Sequence, residues 1–152
     1  MTATSRSVVI EAMAKIARAL RGGVYEVLKR PVDWAAWPFD QKPKVISISC
    51  DQWNPFGDPS VAGGAQTGMF SLEIMWRRRD SDTDEVDVDP AISDSIEADA
   101  VAIAEGVLES TVSSDDSDSV ILRVERRSAQ AVEVFDTALN IQGAIVTFRI
   151  DF

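Results

Sequence analysis

Fourteen carboxylates fall between Asp80 and Asp118 with no lysine or arginine among them, while the rest of the 152-residue chain carries all fifteen basic side chains against eleven acidic ones. Such a density of carboxylate oxygens is what a hard divalent cation binds, so Asp80, Asp82, Asp84 and Asp87 are tested first against calcium chemistry. An EF-hand is excluded. Counting from Asp80, the sixth position is Glu85 where the turn needs glycine, and the twelfth is Ala91 where a bidentate glutamate should stand. What is left is a solvated acidic loop, or an ion held loosely between subunits. Paired carboxylates also serve glycoside hydrolysis, but one of them must be desolvated to raise its pKa, and these lie in polar stretches. The chain has no histidine, which removes Ser-His-Asp and Cys-His catalysis in cis. It has no GxxxxGK[ST] phosphate loop, no GxGxxG after a strand and no CxxC pair. We therefore expect no catalytic residues, no cofactor site and no dedicated metal site.

The charge pattern points instead to association. A strongly negative block beside a net positive remainder orders one molecule against the next, because opposite patches attract and like patches exclude wrong registers. The net charge of −10 argues against wrapping nucleic acid, which needs a clustered basic face. Arg77, Arg78 and Arg79 form the one dense basic run and read as a solvated strand end opposite the acidic segment. Cys50, the single cysteine, shares the apolar face of a strand with Ile46 and Ile48 and reads as a buried, inert thiol. Trp76 is in phase with a core strand. Trp34, Trp37 and Trp53 fall in connections, where a large aromatic either pins the loop or anchors a partner.

The elements that position these residues follow from periodicity. Val9, Met13, Ile16 and Leu20 define one stripe of a first helix, which Ser5 or Ser7 caps and Gly22-Gly23 ends. A short strand is expected between Val24 and Val32, then an ordered aromatic connection to Lys44. Val45 to Cys50 and Phe70 to Trp76 alternate as strands. Between them Asp51 to Gly68 reads as a long loop that makes contacts through Trp53 and Phe56. Asp80 to Asp89 is an acidic linker, and Asp89-Pro90 starts a second helix with Ile92, Ile96, Ala100, Ile103 and Val107 on its buried stripe. Ser113 to Ser119 is a second, serine- and aspartate-rich linker. Val120 to Val124 opens a strand, Ala131 to Phe135 predicts another, and Ala144 to Phe152 alternates to the final residue. The length fits one domain. The expected fold is α+β: a mixed or mostly antiparallel sheet flanked by two main helices, single domain over 1–152. No run approaches the ~20 apolar residues that cross a bilayer, and Met1 to Leu20 lacks the layout of a secretory signal, so folding in a cytoplasm is expected.

The amphipathic first helix, Lys29-Arg30-Pro31-Val32 after the first short strand, the long loop before the Phe70 to Trp76 strand, the helix after an acidic linker, and the closing strand Gly143-Ala144-Ile145-Val146-Thr147-Phe148-Arg149-Ile150-Asp151-Phe152 together resemble the tail terminator, or tail completion, proteins of long-tailed bacteriophages. The resemblance covers most of the chain and implies a structural virion protein, assembled in the host bacterial cytoplasm, that forms a ring, commonly a hexamer. Such a ring sits at the head-proximal end of the tail, stops tail tube polymerisation and joins the tail to the head connector. Its partners would be further copies of itself, the tail tube protein and the neck proteins, with DNA passing through an acidic lumen without specific binding. A neck, head-completion or tail tube protein of the same virion shares much of this description. A stand-alone acidic module that captures a basic protein is the alternative from another class. In the ring case the expected interface residues are Trp53 and Phe56 in the loop and Asp82, Asp84 and Asp87 in the acidic segment. The facing basic groups would be Arg77, Arg78, Arg79, Arg126 and Arg127.

Overall fold

A computed structural model of the protein describes residues 6–21, 23–39, 41–55, 66–77, 90–109, 123–136 and 141–152. The element order is α1 (Arg6–Arg21), β1 (Glu26–Leu28), β2 (Lys44–Asn54), β3 (Thr67–Arg77), α2 (Pro90–Glu109), β4 (Arg123–Asp136) and β5 (Ile141–Asp151). The five strands form one sheet in the order β1-β2-β3-β5-β4. β1 pairs with β2 in parallel, and the remaining pairs are antiparallel. This is the expected mixed sheet with two helices.

Both helices lie on one side of the sheet, as the alternation of its strands requires. Ile46 and Ile48 of β2, Phe70, Leu72 and Ile74 of β3, and Ala144, Val146, Phe148 and Ile150 of β5 join Val9, Met13, Ala14 and Ala17 of α1 and Ile96, Ile103 and Val107 of α2 in one core. The stripe of α2 is as its spacing predicts. On α1 the buried face is rotated toward Ala14 and Ala17, and Leu20 is 42% exposed. Small side chains let the helix lie close to its support. Gly106 of α2 serves the same end, since a Cβ there would stand 2.8 Å from Ile16 and 3.2 Å from Leu20 of α1. A glycine inside a helix costs about 1 kcal/mol relative to alanine, and here it permits the crossing of the two helices.

The opposite side of the sheet is covered at one end by the aromatic connection. Trp34 and Phe39, with ring centroids 6.0 Å apart, pack on Val45, Met75 and Ile141 in a second cluster. Beyond them this face carries Ser47, Ser49, Ser71 and Asp151, all buried.

Strand boundaries differ from the sequence reading in places. β2 and β3 each extend past their apolar alternation, to Asn54 and from Thr67, so Asp51–Asn54, Thr67 and Gly68 are strand residues and not loop. A register shift between Cys50 and Gln52 absorbs one extra residue there. The two strands expected around Val124 and Ala131–Phe135 are one strand, β4, interrupted by register shifts after Arg126 and Val132. The closing strand β5 lies inside the sheet, between β3 and β4. Main-chain bonds between Gln66 and Phe152, 2.8 and 2.9 Å long, hold the final residue.

Candidate subunit interface

Whether the residues expected to meet a partner lie together is settled by strand register. Arg77 closes β3 opposite Ile141, at the end of the sheet where α2 begins: Gln142 Nε2 donates to Ser93 Oγ at 3.0 Å. Arg126 pairs with Phe148, which pairs with Phe70. Arg77 is seven positions along β3 from Phe70, about 23 Å at the rise of an extended strand. Of the basic residues expected at the interface, Arg77 and Arg126 are thus toward opposite ends of the sheet. Arg126 and Arg127 are exposed on the edge strand β4, with Arg127 Nη1 3.4 Å from Glu125. Bulges and charges of this kind keep an edge strand from pairing indiscriminately. Arg78, Arg79, Phe56, Asp82, Asp84 and Asp87 lie outside the described residues, as does the acidic linker at 113–119.

Trp53 is at the end that carries Arg126. It sits in β2 opposite Gly68, where a Cβ would stand 2.6 Å from Phe70. Its indole N–H donates to Gln66 Oε1 at 2.9 Å, the Arg6 guanidinium lies 4.3 Å from its ring centroid, and it stays 44% exposed. A large aromatic on a paired strand, oriented from two sides and open to solvent, has the form of a contact anchor. The other connection tryptophans pin the chain. Trp34 is buried and donates to Glu73 Oε2 at 3.2 Å, and Trp37 donates to the Lys42 carbonyl at 3.1 Å.

At the opposite end a part-buried network joins α1, α2 and β3 through Tyr25, which precedes β1. Tyr25 donates to Asp99 Oδ2 at 2.7 Å and accepts from the Trp76 indole N–H at 2.7 Å, while Arg21 Nε donates to Asp99 Oδ1 at 2.5 Å. Burial, reinforced by the Asp99 carboxylate, pushes the Tyr25 hydroxyl well above its ordinary pKa, so it stays protonated and donating. Lys44 Nζ lies 3.9 Å from the Trp76 ring centroid. Asp99 is therefore a structural carboxylate, where helical spacing alone assigns it to the surface. Its partners are 74 and 78 residues away in sequence, a distance over which no local pattern carries a signal.

Cys50 is half-buried and burial raises its thiol pKa, the opposite of what a nucleophile needs. Glu73 is likewise raised, by burial first, with the Trp34 bond opposing. No group of three or more acidic, cysteine or histidine side chains among the described residues could hold a metal ion. No helix there is long and apolar enough to cross a membrane.

No family model matches the sequence, and no curated protein matches it. Among solved structures, the fold is shared with a chain from the virion of a native gene transfer agent particle, at a TM-score of 0.51 and 15% sequence identity. The match covers 97% of this chain and 93% of that one.

Proposed function

We propose that the protein is a structural subunit of a phage-like virion, a tail terminator that forms a ring, with six copies as the expected number, at the head-proximal end of the tail. The observation that carries this reading is a fold shared over nearly the full length of both chains with a gene transfer agent virion chain. The segregated charge supports it. Each copy offers unlike surfaces to its two neighbours, which is the condition for a closed heterologous ring. In that ring Trp53 is a contact anchor, and Asp82, Asp84 and Asp87 face basic groups of the next copy, Arg126 and Arg127 among them. Exposed ion pairs contribute only ~0.2 to 1 kcal/mol each and are screened over about 8 Å at physiological ionic strength, so several act together.

Sedimentation and negative-stain imaging of the purified protein test this. Rings of uniform diameter that weaken as salt is raised are the expected result. Trp53→Ala, and separately the triple replacement of Asp82, Asp84 and Asp87 by asparagine, should leave the melting temperature of the monomer nearly unchanged while reducing ring formation. A strict monomer at every concentration, with or without tail tube protein, would favour the stand-alone acidic module.

A further inference from the structure

A cleft of about 360 Å³ opens between the start of α1 and the outer edge of β2. Helix α1 contributes Arg6 and Ile10, the segment after β1 contributes Lys29 and Pro31, and β2 contributes Ser49 and Cys50. The cleft exists because β1 stops short. It pairs with β2 from Glu26↔Val45 to Leu28↔Ser47, and from Ile48 onward β2 has a strand neighbour on its β3 side alone among the described residues. An open strand edge takes an added strand through its main-chain groups, with specificity set by side chains on either side.

Several features give this cleft the character of a site for an anionic, extended ligand. Arg6 faces the Trp53 ring and has no carboxylate partner among the described residues. It also opens a helix whose first turn carries no acidic side chain, so a guanidinium coincides with the positive end of the helix dipole. Lys29 adds a second cation, held 2.5 Å from Glu11 and half exposed. Ser49 also lines the cleft and is only 7% exposed, and its hydroxyl makes no hydrogen bond among the described residues. Ile10, Pro31 and the Cys50 side chain provide an apolar surface beside these polar groups.

The sequence holds a segment that fits both halves of this description. Glu85-Val86-Asp87-Val88-Asp89 alternates acidic and apolar residues, the period of a strand with one charged and one apolar face. The segment cannot reach the cleft of its own molecule and still lie along it. It is tethered at Arg77 and Pro90, and Arg77 is about 23 Å by strand rise from Phe70, the partner of Cys50. Twelve residues separate the two tethers, and a chain that long spans about 40 Å when fully extended. Going out and returning would exhaust it.

We propose that the cleft between α1 and the β2 edge receives the Asp84–Asp89 segment of a second copy as an added strand. Val86 and Val88 then lie against Ile10 and Cys50, and the carboxylates meet Arg6, Lys29 and the Ser49 hydroxyl. Because the segment leaves one end of the sheet and the cleft lies toward the other, the contact is head to tail and either closes a ring or extends a stack. This rests on the self-associating reading above and puts Arg6 and Lys29 in place of Arg126 and Arg127 as the groups that face Asp84 and Asp87, since β4 is at the other edge of the sheet.

Cys50 supplies the readout, since it is the single thiol and lines the cleft. Alkylation of Cys50 by iodoacetamide is followed by mass spectrometry at a protein concentration where the chain sediments as a monomer, with a synthetic peptide spanning Asp80–Asp89. At a tenfold excess over its dissociation constant the peptide should slow alkylation about tenfold by mass action. A scrambled peptide of the same composition should not, and Arg6→Glu with Lys29→Glu should abolish the protection while leaving circular dichroism unchanged. Absence of protection, or equal protection by the scrambled peptide, overturns the proposal. In sedimentation the same double variant should fail to assemble. Assembly equal to wild type would overturn the cleft contact and leave the ring reading standing. Protection of Cys50 in a chain that never self-associates would retain the recognition and defeat the ring.

Discussion

The two faces of the sheet solve the same problem by different means. On the helix side, β2, β3 and β5 present aliphatic and phenyl side chains along their length, with Phe70 and Phe148 fully buried. On the other side, apolar cover is confined to the end beneath Trp34 and Phe39, and the remaining buried side chains are small and polar. Ser47, Ser71 and Asp151 among them are bonded. Ser47 Oγ donates to the Arg30 carbonyl at 2.6 Å, Ser71 to the Asp51 carboxylate, and Thr67 Oγ1 to Asp151 Oδ1 at 2.8 Å. Burial of apolar area stabilises at roughly 25 cal/mol per Å², whereas a satisfied buried hydrogen bond contributes about 1 kcal/mol net. The comparison teaches that the helix face supplies most of the folding energy. The other face is kept closed by bonds that cost more to break than they add when made.

The sharpest way to break this comparison is to remove a ring from the helix face. Phe148→Ala should cost about 3 to 5 kcal/mol in chemical denaturation, and a loss no larger than that of a polar-face variant would show the core misassigned. Gly143→Ala should come next, at about 3 kcal/mol by overpacking. A Cβ there would stand 2.1 Å from the Ile74 carbonyl oxygen and 2.5 Å from Met75 Sδ, so β3 and β5 would have to separate. This is the position on the less apolar face where packing alone is decisive, and it explains why the closing strand carries glycine. Asp99→Ala should follow at about 2 kcal/mol, since it strips Tyr25 and Arg21 of their acceptor. Restoration of most of the loss by Asp99→Asn would assign the effect to hydrogen bonding more than to charge. Ser47→Ala should cost about 1 kcal/mol, measured in the same way.

The smallest effect is a pH dependence. Burial raises the Glu73 pKa, so the folded state holds that proton more tightly than the unfolded chain. The contribution is fully present below the ordinary glutamate pKa and is lost as pH rises through the raised folded value. Thermal melts across that window should show a slope that Glu73→Gln flattens, with the Trp34 bond to residue 73 retained by the amide oxygen. An unchanged slope in the variant would place the titration elsewhere.

Much of the fold was legible because its signals are local. Val9, Met13 and Ile16, the α2 stripe from Ile92 to Val107, and the alternation of Phe70 to Trp76 each reveal an element within its own short segment, since helix and strand periods act on neighbouring side chains. By sequence Trp53 reads as loop because β2 loses its apolar alternation after Cys50, although pairing with β3 continues through Gln52, Trp53 and Asn54. Main-chain hydrogen bonds extend a strand whether or not its side chains alternate. The joining of β4 into one strand has the same cause.

The sequence by itself determined the periods of its elements, the absence of histidine chemistry and the concentration of carboxylates between Asp80 and Asp118. Those follow from residue identity and spacing. The tertiary structure alone decided that β5 lies between β3 and β4, that Asp99 meets Arg21 and Tyr25, and that Arg77 and Arg126 are at opposite ends of the sheet. It also decided that β1 ends early enough to leave a cleft beside Arg6. The reason is that pairing between distant segments is chosen by what buries the whole apolar face at once, and no short window of residues records that choice.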